Sequence, residues 1–212
     1  MEQIPGLAFE RAAWEQGHRL IVGIDEAGRG AWAGPVVAAA VVLPSVDDSL
    51  LARLSGVRDS KLLSAAQRER CYGEIMMVAR AVGVGSSAAD EIDKVGIVPA
   101  TRAAMLQAVD QLCIAPDFFL IDALTLPVDR PQRGLIKGDR HCLSIAAASI
   151  IAKVTRDRWM VAQSAAWPAF GMARNKGYGT PEHRRALDLH GPTAIHRYSY
   201  APVRLAVEAR HG

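Results

Sequence analysis

A layered α/β or α+β fold is what this sequence predicts, on three observations. Short apolar runs bounded by glycine, proline or charged residues alternate with longer stretches of helical periodicity. Half of the 212 residues are hydrophobic and only 22% are charged, enough for one substantial core. No internal repeat, low-complexity tract or flexible linker interrupts the alternation.

Taken in order, residues 20–24 and 36–43 read as buried strands, and the glycine-rich turn Gly28-Arg29-Gly30 between them makes the two hairpin neighbours. Ser64 opens a helix: Gln67 completes a capping box, and Cys71, Ile75, Val78 and Ala79 share one face. Residues 81–85 form a third strand. Pro99 suits the first turn of another helix with an apolar stripe of Met105, Val109 and Leu112, which leads into a strand at 118–121. Residues 144–162 are strongly helical, and Thr180-Pro181 with Gly191 brackets a further helix.

The N-terminus carries Glu2 and Glu10 rather than a basic segment followed by an apolar core, and no apolar run nears the ~18 residues of a membrane span, so a cytoplasmic protein is expected. Cys71, Cys113 and Cys142 form no Cys-x-x-Cys pair, which argues against a disulfide framework and a thiolate zinc site; buried, reduced thiols are expected. Residues 153–212 hold ten Lys or Arg against four acids, while the remainder of the chain is net acidic. That asymmetry suits a phosphate-backbone binder with a separate cation site, or simply a solvated basic face.

Three times an apolar run or turn delivers the chain to an aspartate: Asp25, Asp122 and Asp139, with Glu26 directly after Asp25. A carboxylate on a buried strand is costly unless hydrogen-bonded, paired or metal-bound. Each alone could cap a helix or close an Asx turn. Their repetition favours a hard divalent ion such as Mg²⁺, which prefers oxygen ligands, and four carboxylates are about what two such ions require for phosphodiester cleavage.

Gly28-Arg29-Gly30 would bring main-chain groups and one cation beside those acids, unless it is only a tight turn. In residues 175–181, Tyr178 sits on a glycine-flanked loop before a helix start, placed to stack on a sugar or base or to pack on its own helix. His183, His190 and His196 lack the i, i+4 spacing of a helical zinc site, so phosphate contacts, caps or packing are expected of them. No nucleophile elbow, Walker loop or dinucleotide fingerprint is present.

Together these segments resemble the ribonuclease HII family. The resemblance is carried by residues 23–30 (GIDEAGRG), Asp59-Ser60-Lys61, Ile121-Asp122, Lys137-Gly138-Asp139, residues 144–157, residues 176–180 (KGYGT), His190-Gly191-Pro192 and His196-Arg197. It runs from about residue 20 to 204. Departures from the family's frequent residues include Gly96, Arg58 and Asn175, a large Trp32 after the glycine turn, and Ala123-Leu124 after Asp122.

The resemblance implies a ribonuclease H-like mixed five-stranded sheet flanked by helices, in one domain with a catalytic core over about 18–160 and a helical C-terminal part over about 161–212. It assigns Asp25, Glu26, Asp122 and Asp139 as catalytic ligands of Mg²⁺ or Mn²⁺, two ions with substrate bound. Gly28, Arg29 and Gly30 would sense a ribose 2′-hydroxyl, and Tyr178 would stack on the adjacent deoxyribose. Lys61 and Lys153 are candidate substrate contacts. The implied substrates are RNA–DNA hybrids and duplex DNA carrying single ribonucleotides, cut 5′ to the ribonucleotide to leave a 3′-hydroxyl and a 5′-phosphate. A monomer without an obvious protein partner is expected.

Overall fold

A computed structural model describes residues 4–45 and 48–210. The elements are α1 (Ala8–Glu15), β1 (Ile21–Ala27), β2 (Val36–Val42), α2 (Asp48–Arg53), α3 (Ala65–Val78), β3 (Ala81–Ser87), α4 (Ala89–Val95), α5 (Ile97–Asp110), β4 (Phe118–Asp122), β5 (Gln132–Leu135), α6 (Leu143–Gln163), α7 (Met172–Asn175), α8 (Pro181–His190) and α9 (Ala201–Glu208). The strands form one mixed sheet in the order β3-β2-β1-β4-β5. β2 is antiparallel to both neighbours, whereas β4 runs parallel to β1 and β5. The expected hairpin and the ribonuclease H-like sheet are both present.

Helices cover both faces because the inner strands are apolar on both. On β1, Val22 and Ile24 pack with α5 residues Ala104, Met105 and Ala108. The opposite face meets α6 through Ala39, Val41, Ala146, Ala147 and Ile150. Close approach on each side depends on strand glycines. A Cβ on Gly23 would lie 2.2 Å from the Ser144 carbonyl carbon on α6, and one on Gly85 would lie 2.2 Å from the Ala104 oxygen on α5. α3 begins with the expected reciprocal capping box between Ser64 and Gln67, and Thr180 caps α8 with Pro181 behind it.

The structure extends β1 through Ala27, so Asp25 and Glu26 lie inside the strand instead of after it. Cys71 and Cys142 are buried, but Cys113 is exposed, which corrects the expectation of three buried thiols. Helix α5 ends at Asp110 and Leu112 is the last core residue before the loop to β4, so Cys113 falls on the solvent side. Gly96 has φ +84° and ends α4 while beginning α5, a backbone geometry suited to glycine.

Candidate active site

Strand register brings the first two carboxylates together. β1 and β4 pair in parallel with Ile24 opposite Ile121, so the next residues, Asp25 and Asp122, stand side by side on the face toward α6. Two sharp turns deliver the third. Lys137 takes a left-handed conformation at φ 56°, and the Gly138 N–H then donates to Asp122 Oδ1 at 2.7 Å, which sets Asp139 on a single helical turn beside the pair. Glu26 follows Asp25, whose Oδ1 accepts from the Glu26 N–H at 2.7 Å.

Electrostatics show that the four acids share one field. Burial pushes the Asp25 carboxyl well above the usual carboxylate range, and the charges of Glu26, Asp122 and Asp139 push it further. Asp139 is raised by burial, then by Asp59 and Asp122. Burial also raises Glu26, with Arg29 as the main counterweight; their side chains meet at 3.4 Å. Lys61 is held above its ordinary value by Asp139, Asp59, Asp25 and Asp122, although burial opposes them. Protein cations therefore compensate only part of this negative charge.

An all-oxygen donor set with uncompensated charge fits a hard divalent ion. One observation supports that fit: Glu26 Oε2 is buried and has no hydrogen-bond partner, the position of a group waiting for a ligand. Among the described residues, no three His, Cys, Asp or Glu side chains stand close enough together to hold a metal ion by themselves. Magnesium-type sites keep several waters and use substrate phosphates, so an open carboxylate set suits them better than a cage would.

Beside the acids lies a cleft of about 470 Å³ lined by Glu26, Gly28, Arg29, Gly30, Ser60, Lys61, Ser149, Lys153 and Tyr178 among others. It joins every expected substrate-binding residue to Glu26. Lys153 is tied to Asp157 at 2.7 Å and lies 5.4 Å from the centre of the Tyr178 ring. Trp32, large for its place after the glycine turn, packs its ring against Gly179 and donates its main-chain N–H to the Gly177 oxygen at 2.8 Å, so it braces the tyrosine loop. Asn175 is buried and braces the same loop: its Oδ1 accepts from the Gly177 N–H at 2.8 Å.

Sequence reasoning missed several residues here. Ser60 and Ser149, both in the cleft wall, meet at 3.0 Å. Buried Asp59 accepts from the Lys61 N–H and pairs with Arg140 at 3.3 Å. Two arginines, Arg156 and Arg197, are fully buried against the backbone around the glycine turn. Arg156 donates to the carbonyls of Pro35, Ala33 and Lys176. The basic stretch 153–212 contains both, but charge alone does not distinguish an inward arginine from a solvated one.

Comparison with known proteins agrees with this fold. A family model described as Ribonuclease HII matches residues 22–203. The Ribonuclease HII of Bacillus velezensis is 52% identical over 196 residues, covering 92% of this chain and 75% of that protein. That of Chloroflexus aggregans is 52% identical over 200 residues and covers 94% of each. The crystal structure of ribonuclease H2 from Pyrococcus horikoshii superposes with a TM-score of 0.78 at 26% identity, covering 91% of this chain and 99% of that one.

Proposed function

The chain belongs to the ribonuclease HII family of endoribonucleases, and from that premise we propose that it hydrolyses the RNA strand of RNA–DNA hybrids and cuts 5′ to single ribonucleotides embedded in duplex DNA, leaving 3′-hydroxyl and 5′-phosphate ends. The observation that carries this reading is the convergence of Asp25, Glu26, Asp122 and Asp139 beside a cleft walled by the turn at residues 28–30 and by Tyr178.

In this reading the four carboxylates hold Mg²⁺ or Mn²⁺, two ions when substrate is bound, which supply activation of the attacking water and stabilisation of the leaving oxygen. The protein's own groups do the rest. Arg29 and Lys61 attract the phosphates that flank the scissile bond, and Lys153 does so once it exchanges Asp157 for substrate. Main-chain groups of Gly28, Arg29 and Gly30 sit where a 2′-hydroxyl distinguishes RNA from DNA. Tyr178 offers its ring face to the neighbouring deoxyribose. The basic C-terminal residues add backbone contacts, so binding weakens as salt rises.

We take residues 1–212 as one domain, with the core over about 18–160 and a C-terminal part over about 161–212; α6 crosses the boundary between them and serves both. Among the described residues no helix is long and apolar enough to cross a membrane.

The deciding experiment is cleavage of a labelled DNA duplex with one ribonucleotide, in Mg²⁺, Mn²⁺ or EDTA, beside an all-DNA control. Metal-dependent cutting 5′ to the ribonucleotide is expected. Equal cutting of the all-DNA duplex would indicate a different carboxylate nuclease, and no cutting with either ion would leave a hybrid-binding module.

A further inference from the structure

Arg197 lies far from the carboxylates in sequence, yet its guanidinium is fully buried beneath the glycine turn. Nε and Nη2 both donate to the Gly34 oxygen, at 3.0 and 2.9 Å, and Nη1 donates to the Arg29 oxygen at 2.9 Å. The Tyr200 hydroxyl donates to that same Arg29 oxygen at 2.5 Å, and itself accepts from Arg197 Nη1 at 3.0 Å. The charge is thus met by carbonyl oxygens and a phenol rather than by a hydrogen-bonded carboxylate. Burying a cation in that way is expensive, so the arrangement calls for a use.

Peptide geometry indicates the use. The peptide joining Arg29 to Gly30 is trans, so its C=O and N–H point in opposite directions. With the oxygen pinned inward by two donors, the Gly30 N–H faces out. Gly30 is exposed, a Cβ there would meet nothing within 4 Å, and its N–H has no backbone acceptor among the described residues. Gly30 also lines the carboxylate cleft. A donor whose own carbonyl is engaged by a cation is polarised and becomes a stronger donor.

We propose that Arg197, assisted by Tyr200, is a positioning residue for ribonucleotide selection: it fixes and polarises the Arg29–Gly30 peptide so that the Gly30 N–H is presented to the oxygen of the ribose 2′-hydroxyl. The proposal rests on the reading of this cleft as a ribonucleotide site. It gives the C-terminal part a role in specificity that is separate from its general attraction for the phosphate backbone. Lysine cannot replace the arginine, because one ammonium on a flexible stem cannot span the Gly34 and Arg29 oxygens in the same fixed fork.

The test compares wild type, Arg197→Lys and Tyr200→Phe in three measurements: kcat/KM on a duplex with one ribonucleotide, Kd for the all-DNA duplex, and thermal melting. R197K should lose about tenfold in kcat/KM, the worth of one good hydrogen bond, and Y200F about threefold. Both should hold the all-DNA Kd within about twofold, since no phosphate contact is removed. Wild-type kcat/KM in an R197K protein that melts cooperatively would overturn the inference, as would an equal loss of all-DNA affinity. If R197K does not melt cooperatively, Y200F decides, and an unchanged kcat/KM there overturns it. A wild-type protein that cuts no ribonucleotide-containing duplex would remove the proposed function and this inference with it.

Discussion

His183 and His196 meet Nε2 to Nε2 at 2.9 Å inside the C-terminal part, and their neighbours dictate which nitrogen carries each proton. The Thr193 N–H donates to His196 Nδ1, so the His196 hydrogen sits on Nε2 and points at His183. His183 must then accept there and donate from Nδ1 to the Tyr178 oxygen, 3.0 Å away. Both rings are neutral in this directed chain, which ends on the tyrosine loop of the cleft.

A loss of stability in mild acid follows. Burial, helped by the adjacent His183, lowers His196 to about 4, and burial lowers His183 as well. The unfolded chain takes up protons on these groups below its ordinary pKa near 6.5, while the native pair resists them. Their contribution is therefore whole above about pH 6.5, declines as pH falls, and for His196 is exhausted near pH 4, a loss of about 3 kcal/mol. Thermal melts from pH 7.5 to 4.5 should show the decline, and His196→Gln should flatten it. An H196Q curve parallel to wild type would refute the linkage.

The carboxylate cluster should act on stability in the opposite sense. Asp25, Glu26 and Asp139 are all raised. The native state therefore binds protons more readily than the unfolded chain, and their repulsion weakens the metal-free protein at neutral pH. Asp25→Asn keeps the side-chain size and removes one charge. In EDTA it should raise the melting temperature by a few degrees, about 1 kcal/mol. Activity should fall at least about 100-fold. Mg²⁺ should raise the wild-type melting temperature and leave D25N nearly unchanged. A D25N protein with wild-type cleavage would sink the assignment of the site.

How far the sequence could be read depended on whether a signal was local. Capping at Ser64 and Thr180 uses neighbours three residues apart and was legible, as were the apolar runs of β1, β2 and β4. The convergence of Asp25 with Asp122 was not: it is a matter of register between strands almost a hundred residues apart, and only the family resemblance anticipated it. Arg156 and Arg197 read as surface charge because their partners are backbone carbonyls, which leave no trace in the sequence. Glu10 was likewise opaque. It is buried, and its Oε1 accepts from the Ser144 N–H at 2.8 Å at the start of α6, 134 residues away.

Gly23 offers a purely structural check on the sheet. Gly23→Ala would set a methyl 2.2 Å from the Ser144 backbone, which cannot yield without moving α6 off β1. Overpacking of this kind costs about 1–3 kcal/mol or more. Denaturant unfolding should show that loss, and because Asp25 is two residues along the same face, cleavage should fall too. A G23A protein of wild-type stability would mean that α6 sits farther from the sheet.

Tyr178 separates stacking from support. Its backbone oxygen holds His183, so the loop stays anchored whatever the side chain. Its ring, by contrast, lies over Lys153 and Arg156 at 5.4 Å each and lines the cleft. Tyr178→Ala should therefore leave the melting temperature close to wild type but remove the ring face offered to the nucleotide. Stacking is worth about 1–3 kcal/mol, so KM for a ribonucleotide-containing duplex should rise by roughly tenfold or more. Tyr178→Phe should restore most of that loss, because the ring and not the hydroxyl does the stacking. A Y178F enzyme as impaired as Y178A would point instead to a hydrogen-bonding role for the phenol.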